Sequence, residues 1–185
     1  MRWVLIIAGT LLGLGVIVFV VGSLLPREHV AGSSIVVRQP RDTVWRAVRD
    51  LANLPTFWNE LITSQRATDA QGREVWEQKM KNGFTMRLIV TEDRPPERLV
   101  MTIDAPPDAP FGGTWTYEVA PADGGARLTV TERGYINSPL FRFMSRFIFG
   151  YHATQEGYLK AMGKKLGEDV TPTRATIPAL VTSNH

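Results

Sequence analysis

Glu132 is the acidic residue whose surroundings best suit it for chemistry. It follows Leu128 and Val130 at alternate positions of a predicted strand. Because alternate residues of a strand point to one face, we expect the Glu132 carboxylate to reach the apolar side of a sheet. A partly desolvated carboxylate can act as an acid or base, or it can anchor a ligand hydroxyl. The alternative is that Glu132 lies at the wet end of its strand or pairs with an arginine.

Large apolar side chains, several with a polar atom at the tip, recur along the chain and suit an apolar ligand. Together with Glu132 they form the predicted ligand-binding set: Trp58, Trp76, Met86, Met101, Trp115, Tyr117, Phe147 and Tyr151. The same residues would also build an ordinary hydrophobic core, and that interpretation stays open for each of them.

The histidines give little support to metal chemistry. His29, His152 and His185 are far apart in the sequence, and His152 has only Glu156 at the i, i+4 spacing of two ligands on one helix face. A solvated or helix-stabilising pair explains that spacing more simply. The chain has no cysteine and no G-x-S-x-G motif, so nucleophilic catalysis is not supported. We expect no metal and no other cofactor.

Composition restricts the class of protein. The 185 residues suffice for one domain of ordinary size. Lys and Arg number 21 against 18 Asp and Glu, a net charge of +3, far from the dense positive surface of a nucleic-acid-binding protein. We therefore expect no nucleic-acid partner, and the oligomeric state stays open.

An apolar segment at the N-terminus predicts a membrane anchor. Residues 3–25 carry no charge, and a helix of that length spans roughly 34 Å, enough to cross a hydrocarbon core of about 30 Å. A cleaved signal peptide, the competing interpretation, has an apolar region of only about 7–15 residues and a small-residue cleavage site, and no clear site follows Leu25. We assign residues 1–26 to a single-pass anchor. Arg2 ahead of the span favours a cytoplasmic N-terminus and an extracytoplasmic domain.

The remaining residues predict an α+β domain with an antiparallel sheet of about seven strands, because turn sequences separate short alternating segments. The predicted strands are 34–38, 62–68, 75–80, 84–91, 99–103, 114–119 and 128–133, with a short helix at 42–51 and a second, one-turn helix at 56–59. From 139 to 166, apolar residues recur every three or four positions, which predicts one long amphipathic helix weakened by its glycines. Residues 168–185 show no sustained period and are expected to form a disordered tail.

A strongly curved sheet wrapped round that last helix would cover both apolar faces. Such packing often leaves a cavity, because a helix and a concave sheet do not fill the space between them completely. The phenylalanines at 141, 143, 147 and 149 cannot all share one helix face. We therefore expect Phe141 or Phe149 to be partly exposed, or covered by a membrane or a loop.

Several local sequences, together with the order of elements, resemble a known superfamily: PRDTVW at 40–45, LPTFW at 54–58, FGGTWTY at 111–117, TERG at 131–134 and NSPL at 137–140. They are similar to START-like helix-grip proteins, also described as SRPBCC or polyketide cyclase/dehydrase-like proteins. The resemblance covers about residues 33–167, which we take as the domain. It implies a deep pocket for lipids, sterols, hormones or polyketide-like molecules. Only some members are enzymes, and no invariant catalytic set can be transferred.

Three functional hypotheses follow. The favoured one is a membrane-tethered module that binds a hydrophobic small molecule or lipid in an apolar cavity. The second is a cyclase- or dehydratase-like enzyme that acts on a hydrophobic substrate with Glu132 as acid/base. The third is an interaction or structural protein whose interior is filled. The volume of the pocket separates the first two hypotheses from the third.

Overall fold

An antiparallel sheet and five helices make up residues 2–106 and 108–177, the part of the chain that the computed structural model describes. The helices are α1 (Arg2–Leu24), α2 (Arg41–Arg49), α3 (Leu54–Phe57), α4 (Pro139–Met144) and α5 (Ala153–Lys165). A 3-10 turn, Leu51–Asn53, joins α2 to α3, and a π-helical segment, Ser145–Phe149, continues α4.

The strands are β1 (Glu28–Val37), β2 (Leu61–Thr68), β3 (Glu74–Met80), β4 (Thr85–Arg94), β5 (Arg98–Ile103), β6 (Phe111–Ala122), β7 (Gly125–Ile136) and β8 (Thr173–Arg174). Within the described residues they form one sheet in the order β2-β3-β4-β5-β6-β7-β1-β8, and the paired strands are antiparallel. The predicted α+β fold with an antiparallel sheet is therefore confirmed.

The sheet buries one face because apolar residues alternate along its strands. In β7, Leu128 and Val130 are fully buried, whereas Arg127 is exposed. The strand register shifts after Leu61 in β2 and after Val90 in β4. An extra residue of this kind bends a strand and increases its twist, so these shifts help to curve the sheet.

Helix α5 packs against the buried face of the sheet. Tyr158, Leu159 and Met162 of α5 are at most 1% exposed and share one apolar cluster with Met101 and Leu128 of the sheet. Full burial of a side chain of this size gains about 1.5–3 kcal/mol relative to exposure. The contact between α5 and the sheet is therefore a principal source of the domain's stability.

The single helix predicted over 139–166 is interrupted. Helix α4 ends at Met144, the π-helical segment follows, and Gly150 has a φ angle of 75°. A residue with a Cβ is strained in this left-handed region, so the chain turns at the glycine and α5 begins at Ala153. The break separates a short helix beside α1 from the long helix over the sheet.

The disorder predicted for residues 168–185 does not hold for the described part of the tail. Thr173–Arg174 forms β8 at the edge of β1, opposite Ser33 and Ser34. The edge of β1 supplies backbone hydrogen-bond partners, which the local sequence pattern of the tail does not reveal. Residues 178–185 lie outside the described residues.

Helix α1 stands clear of the domain except at its C-terminal end. Its 23 residues are long and apolar enough to cross a membrane. Gly22 is buried against α4, and a Cβ at this position would overlap the carbonyl oxygen of Pro139. The Nη1 atom of Arg142 in α4 donates a hydrogen bond of 2.7 Å to the carbonyl oxygen of Leu25. These contacts hold the end of α1 beside α4.

Candidate ligand pocket and its carboxylate

A cavity of about 340 Å³ lies at one end of the sheet, where β1, β6 and β7 meet the α4–α5 connection. Its apolar lining includes Ile103, Phe111, Ile136, Phe141 and Phe149. Its polar lining includes His29, Glu132, Tyr135, Ser145, Tyr151 and Thr154. A concave, largely apolar surface with a few convergent polar groups is typical of a small-molecule site.

Two wider clefts lack this combination. A cleft of about 590 Å³ beside the tail is lined mainly by threonine and arginine side chains of β5–β7. A groove of about 730 Å³ between the α3–β2 region and α5 includes Lys160 and Lys164. The 590 Å³ cleft has no aromatic side chain in its lining, and the acidic residue of the 730 Å³ groove, Glu60, is exposed. The 340 Å³ pocket combines aromatic side chains with a carboxylate that is mostly buried, so we take that pocket as the candidate site.

The pairing of β1 with β7 brings the imidazole and the carboxylate of the pocket together. His29 lies opposite Gly134, and Ala31 lies opposite Glu132, so His29 and Glu132 are diagonal neighbours on one face. A Cβ at Gly134 would lie 2.7 Å from the His29 ring. The absence of a side chain at Gly134 therefore leaves room for the imidazole beside the carboxylate.

Two side chains hold the Glu132 carboxylate. His29 Nε2 lies 3.4 Å from Glu132 Oε1, and Gln155 Nε2 donates to Glu132 Oε2 over 3.3 Å. Gln155 also donates to the carbonyl oxygen of Ala31 over 3.2 Å, and it is fully buried. The His29 ring stacks on Tyr151, with ring centroids 4.5 Å apart. The carboxylate is thus oriented, while 22% of the Glu132 side chain stays exposed and reachable from the pocket.

Two polar atoms beside the carboxylate are buried without a partner among the described residues. They are Nδ1 of His29 and Oε1 of Gln155. An imidazole with hydrogen on Nε2 donates to Oε1 of Glu132, because an ionised carboxylate can only accept a hydrogen bond.

Tyr117 is unsuited to act as a base. Burial, together with the nearby negative charge of Glu132, raises the pKa of the Tyr117 phenol well above its usual range. The phenol stays protonated at neutral pH. Of these two groups, Glu132 is the one able to accept a proton.

The structure divides the predicted ligand-binding residues into three groups. Glu132 and Tyr151 line the pocket. Phe147 is 58% exposed, packs on Phe143 and does not line the pocket, contrary to our expectation, because the π-helical segment turns it outward. The others lie in the core or against it: Trp58, Trp76, Met86, Met101, Trp115 and Tyr117.

The interior beneath α5 is filled by Tyr158. Its ring makes edge contacts with the rings of Trp58 and Tyr117, each at a centroid distance of 5.5 Å. These aromatic contacts occupy the centre that the sequence analysis assigned to a ligand. The available space is therefore displaced to the end of the sheet near α4.

Two residues of the site, His29 and Gln155, were missed by the sequence analysis. The first strand was predicted to begin at residue 34, whereas β1 begins at Glu28, so His29 was not expected in the sheet. Gln155 is polar on a helix and gave no sign of burial. His152, considered as a partner of Glu156, contacts Ser33 instead, with Nδ1 and Oγ 3.3 Å apart.

The curved antiparallel sheet, the closing helix and the pocket at one end define a helix-grip protein of the SRPBCC class. More specifically, residues 29–161 match the family described as polyketide cyclase/dehydrase and lipid transport. The match covers more than half of the chain, and the protein belongs to this family. No curated protein matches the chain.

Solved structures share the fold at low sequence identity. The di-domain ARO/CYC StfQ from the steffimycin biosynthetic pathway is 13% identical, with 76% of this chain and 52% of StfQ covered and a TM-score of 0.60. A conserved protein from Geobacillus kaustophilus is 12% identical, with 78% and 99% covered and a TM-score of 0.60. XoxI from Bacillus cereus is 16% identical, with 74% and 94% covered and a TM-score of 0.56. At these identities the likeness shows the fold alone.

Proposed function

We propose that this protein binds a hydrophobic small molecule or lipid in the 340 Å³ pocket while α1 tethers it to a membrane. The observation that carries the proposal is the pocket itself, whose lining is largely aromatic and aliphatic around one oriented carboxylate. The family description, which includes lipid transport, supports the same class of ligand.

The size of the pocket agrees with a small apolar ligand. Ligand pockets in proteins commonly measure roughly 300–1,000 Å³, so 340 Å³ fits a compact molecule or a single acyl chain. Apolar burial gains about 25 cal/mol per Å², and burying roughly 200 Å² of ligand would gain about 5 kcal/mol. Binding therefore needs few polar contacts, which agrees with the small number of polar groups in the lining.

The tether would keep the pocket beside the bilayer, into which apolar molecules partition. The segment 2–24 is apolar, and α4, which forms part of the pocket wall, packs against its C-terminal end. We infer an anchor that stays on the mature protein, with its N-terminus in the cytoplasm and the domain on the extracytoplasmic side.

Mass spectrometry of the native protein tests the binding proposal. The full chain is extracted from its host membrane in a mild detergent and analysed intact. We expect a fraction of the protein to carry a bound apolar molecule that organic solvent releases and that raises the melting temperature when added back. Repeatedly empty protein, with no thermal shift from fatty acids, isoprenoids or phospholipids, would contradict the proposal.

A second candidate function, catalysis, is favoured by the environment of Glu132. A cyclase or dehydratase needs a group that removes a proton beside a carbonyl and returns it. The Glu132 carboxylate is partly exposed to the pocket, and Gln155 and His29 hold its two oxygens in place. Two of the solved structures that share the fold are described as ARO/CYC proteins, which supports the same reaction class.

The Glu132→Gln variant separates catalysis from binding. Glutamine keeps the size of the side chain and one acceptor oxygen but cannot take up a proton at neutral pH. If the protein is an enzyme, turnover of the molecule recovered from the pocket falls at least about a hundredfold while uptake of that molecule persists. Glu156→Gln on α5, outside the pocket lining, is the matched control. Equal turnover in both variants would exclude Glu132 as the acid/base.

A further inference from the structure

A group of exposed apolar side chains lies on α4 and the π-helical segment. The described residues expose nine large hydrophobic side chains outside α1, and five of the nine fall within residues 140–149. We call these five the aromatic face: Leu140, Phe141, Phe147, Ile148 and Phe149, which are 49–63% exposed. A concentration of this kind on a soluble domain marks a surface that contacts another apolar partner.

The position of α1 identifies that partner. Gly22 packs against Pro139, and Arg142 holds the carbonyl oxygen of Leu25, so α4 begins beside the residue at which α1 ends. A helix of 23 residues is roughly 34 Å long and reaches the surface of a bilayer at its end. The aromatic face therefore starts at the depth of the membrane interface.

The charges near the aromatic face agree with a lipid partner. Arg146 lies between members of the face in the sequence, and Arg27 follows Leu25, which contacts α4, by two residues. Both arginines are exposed, and neither makes an ion pair within residues 2–106 and 108–177. Arginines beside phenylalanine and leucine are typical of segments that lie in the interface, with the cations among anionic headgroups.

The aromatic face and the pocket share two residues. Phe141 and Phe149 belong to the face and also line the 340 Å³ pocket. We infer that the aromatic face inserts into the headgroup–acyl boundary of the bilayer that α1 spans, which sets the mouth of the pocket against lipid. An apolar ligand then passes between bilayer and pocket without crossing water. The inference rests on the proposed membrane tether and adds the docked orientation of the domain.

Spin labelling tests this orientation in the full chain, which has no cysteine and needs no background mutations. Single cysteines are introduced as Ile148→Cys on the face, Phe141→Cys at the pocket mouth, Val16→Cys in α1 and Asp123→Cys in the β6–β7 turn. Each is labelled with a nitroxide and reconstituted in phosphatidylcholine–phosphatidylglycerol vesicles. Collision with oxygen, which concentrates in lipid, is then compared with collision with a water-soluble nickel chelate.

We expect the ratio of oxygen to nickel accessibility at positions 148 and 141 to be at least about threefold higher than at position 123, with the highest ratio at position 16. If positions 148 and 141 resemble 123 while 16 is lipid-exposed, the docking inference is overturned and the tether stands. If position 16 also resembles position 123, the membrane tether and the docking inference both fail. If the label at 148 is protected from both reagents and shows dipolar broadening, a second copy of the chain covers the face and docking to lipid is overturned.

Discussion

Arg142 and Leu25 link α4 to the end of α1: the guanidinium of Arg142 donates a 2.7 Å hydrogen bond to a main-chain carbonyl 117 residues away. The last carbonyls of a helix have no partner within it, so this contact satisfies an acceptor at the end of α1. Arg142 is only 6% exposed, although it lies among exposed phenylalanines. The side chain therefore links the apolar helix to the wall of the pocket.

Removal of the Arg142 guanidinium should loosen this link. We expect Arg142→Met, which keeps an unbranched side chain but removes the guanidinium, to lower the free energy of unfolding by about 1–3 kcal/mol, because the carbonyl of Leu25 loses its charged donor. Thermal unfolding in detergent micelles, followed by circular dichroism, measures the change. Arg146→Met, at an exposed position of the same region, should change stability by less than about 0.5 kcal/mol. If both substitutions change the free energy of unfolding equally, the hydrogen bond from Arg142 to Leu25 does not stabilise the protein.

The contact between α1 and α4 should be equally sensitive to Gly22. A methyl group at Gly22 overlaps the Pro139 carbonyl, whereas Gly13 has no atom near the position of a Cβ. We expect Gly22→Ala to separate the helices and expose the linker, so that trypsin cleaves after Arg27 several times faster than in the unmodified protein. Gly13→Ala is the matched control and should leave the cleavage rate unchanged. If trypsin cleaves neither variant faster than the unmodified protein, α1 does not pack on α4.

The ion pair between Asp50 and Lys165 predicts a pH effect on stability. The 2.7 Å hydrogen bond from Lys165 lowers the pKa of the Asp50 carboxyl. A carboxyl whose folded-state pKa is depressed stabilises the fold above its unfolded pKa of about 3.9, and that contribution is lost as the pH falls through the folded value. Because Asp50 is more than a third exposed, solvent screening limits the contribution to less than about 1 kcal/mol.

We therefore expect Asp50→Asn to lower the melting temperature at pH 7 by a few degrees and to have a smaller effect near pH 2, because the stabilising charge of Asp50 is lost as the pH falls through the lowered folded-state pKa. Melting curves of both proteins across this range provide the measurement. If the two proteins differ in melting temperature by the same amount at both pH values, the charge of Asp50 does not contribute to stability.

Much of the sheet could be predicted from alternation alone. Leu128 and Val130 in β7 are fully buried, and a period of two is a local property that needs no knowledge of the rest of the chain. The start of β1 could not be predicted in the same way. Residues 28–33 join the sheet because β7 extends to Ile136 and offers partners, which is a property of a distant segment.

The lining and the position of the pocket depend on packing between elements, which local sequence patterns do not reveal. Glu132 was recognised from its strand, but its partner Gln155 is a polar residue on a helix and is buried only because α5 lies over β1 and β7. The ring of Tyr158 fills the centre of the domain. Such filling depends on side-chain volumes from several elements at once, so the position of the remaining cavity could not be deduced from the sequence.

The most direct test of the account is to fill the pocket. Ser145 lines it, whereas Ile148, three residues later on the same segment, is exposed outside the pocket lining. Titration of the full-length protein in detergent with a fluorescent fatty acid compares Ser145→Phe with its control, Ile148→Phe. We predict that Ser145→Phe weakens binding at least tenfold, or about 1.4 kcal/mol, while Ile148→Phe binds like the unmodified protein. Equal affinities in all three proteins would show that this cavity is not where the ligand binds.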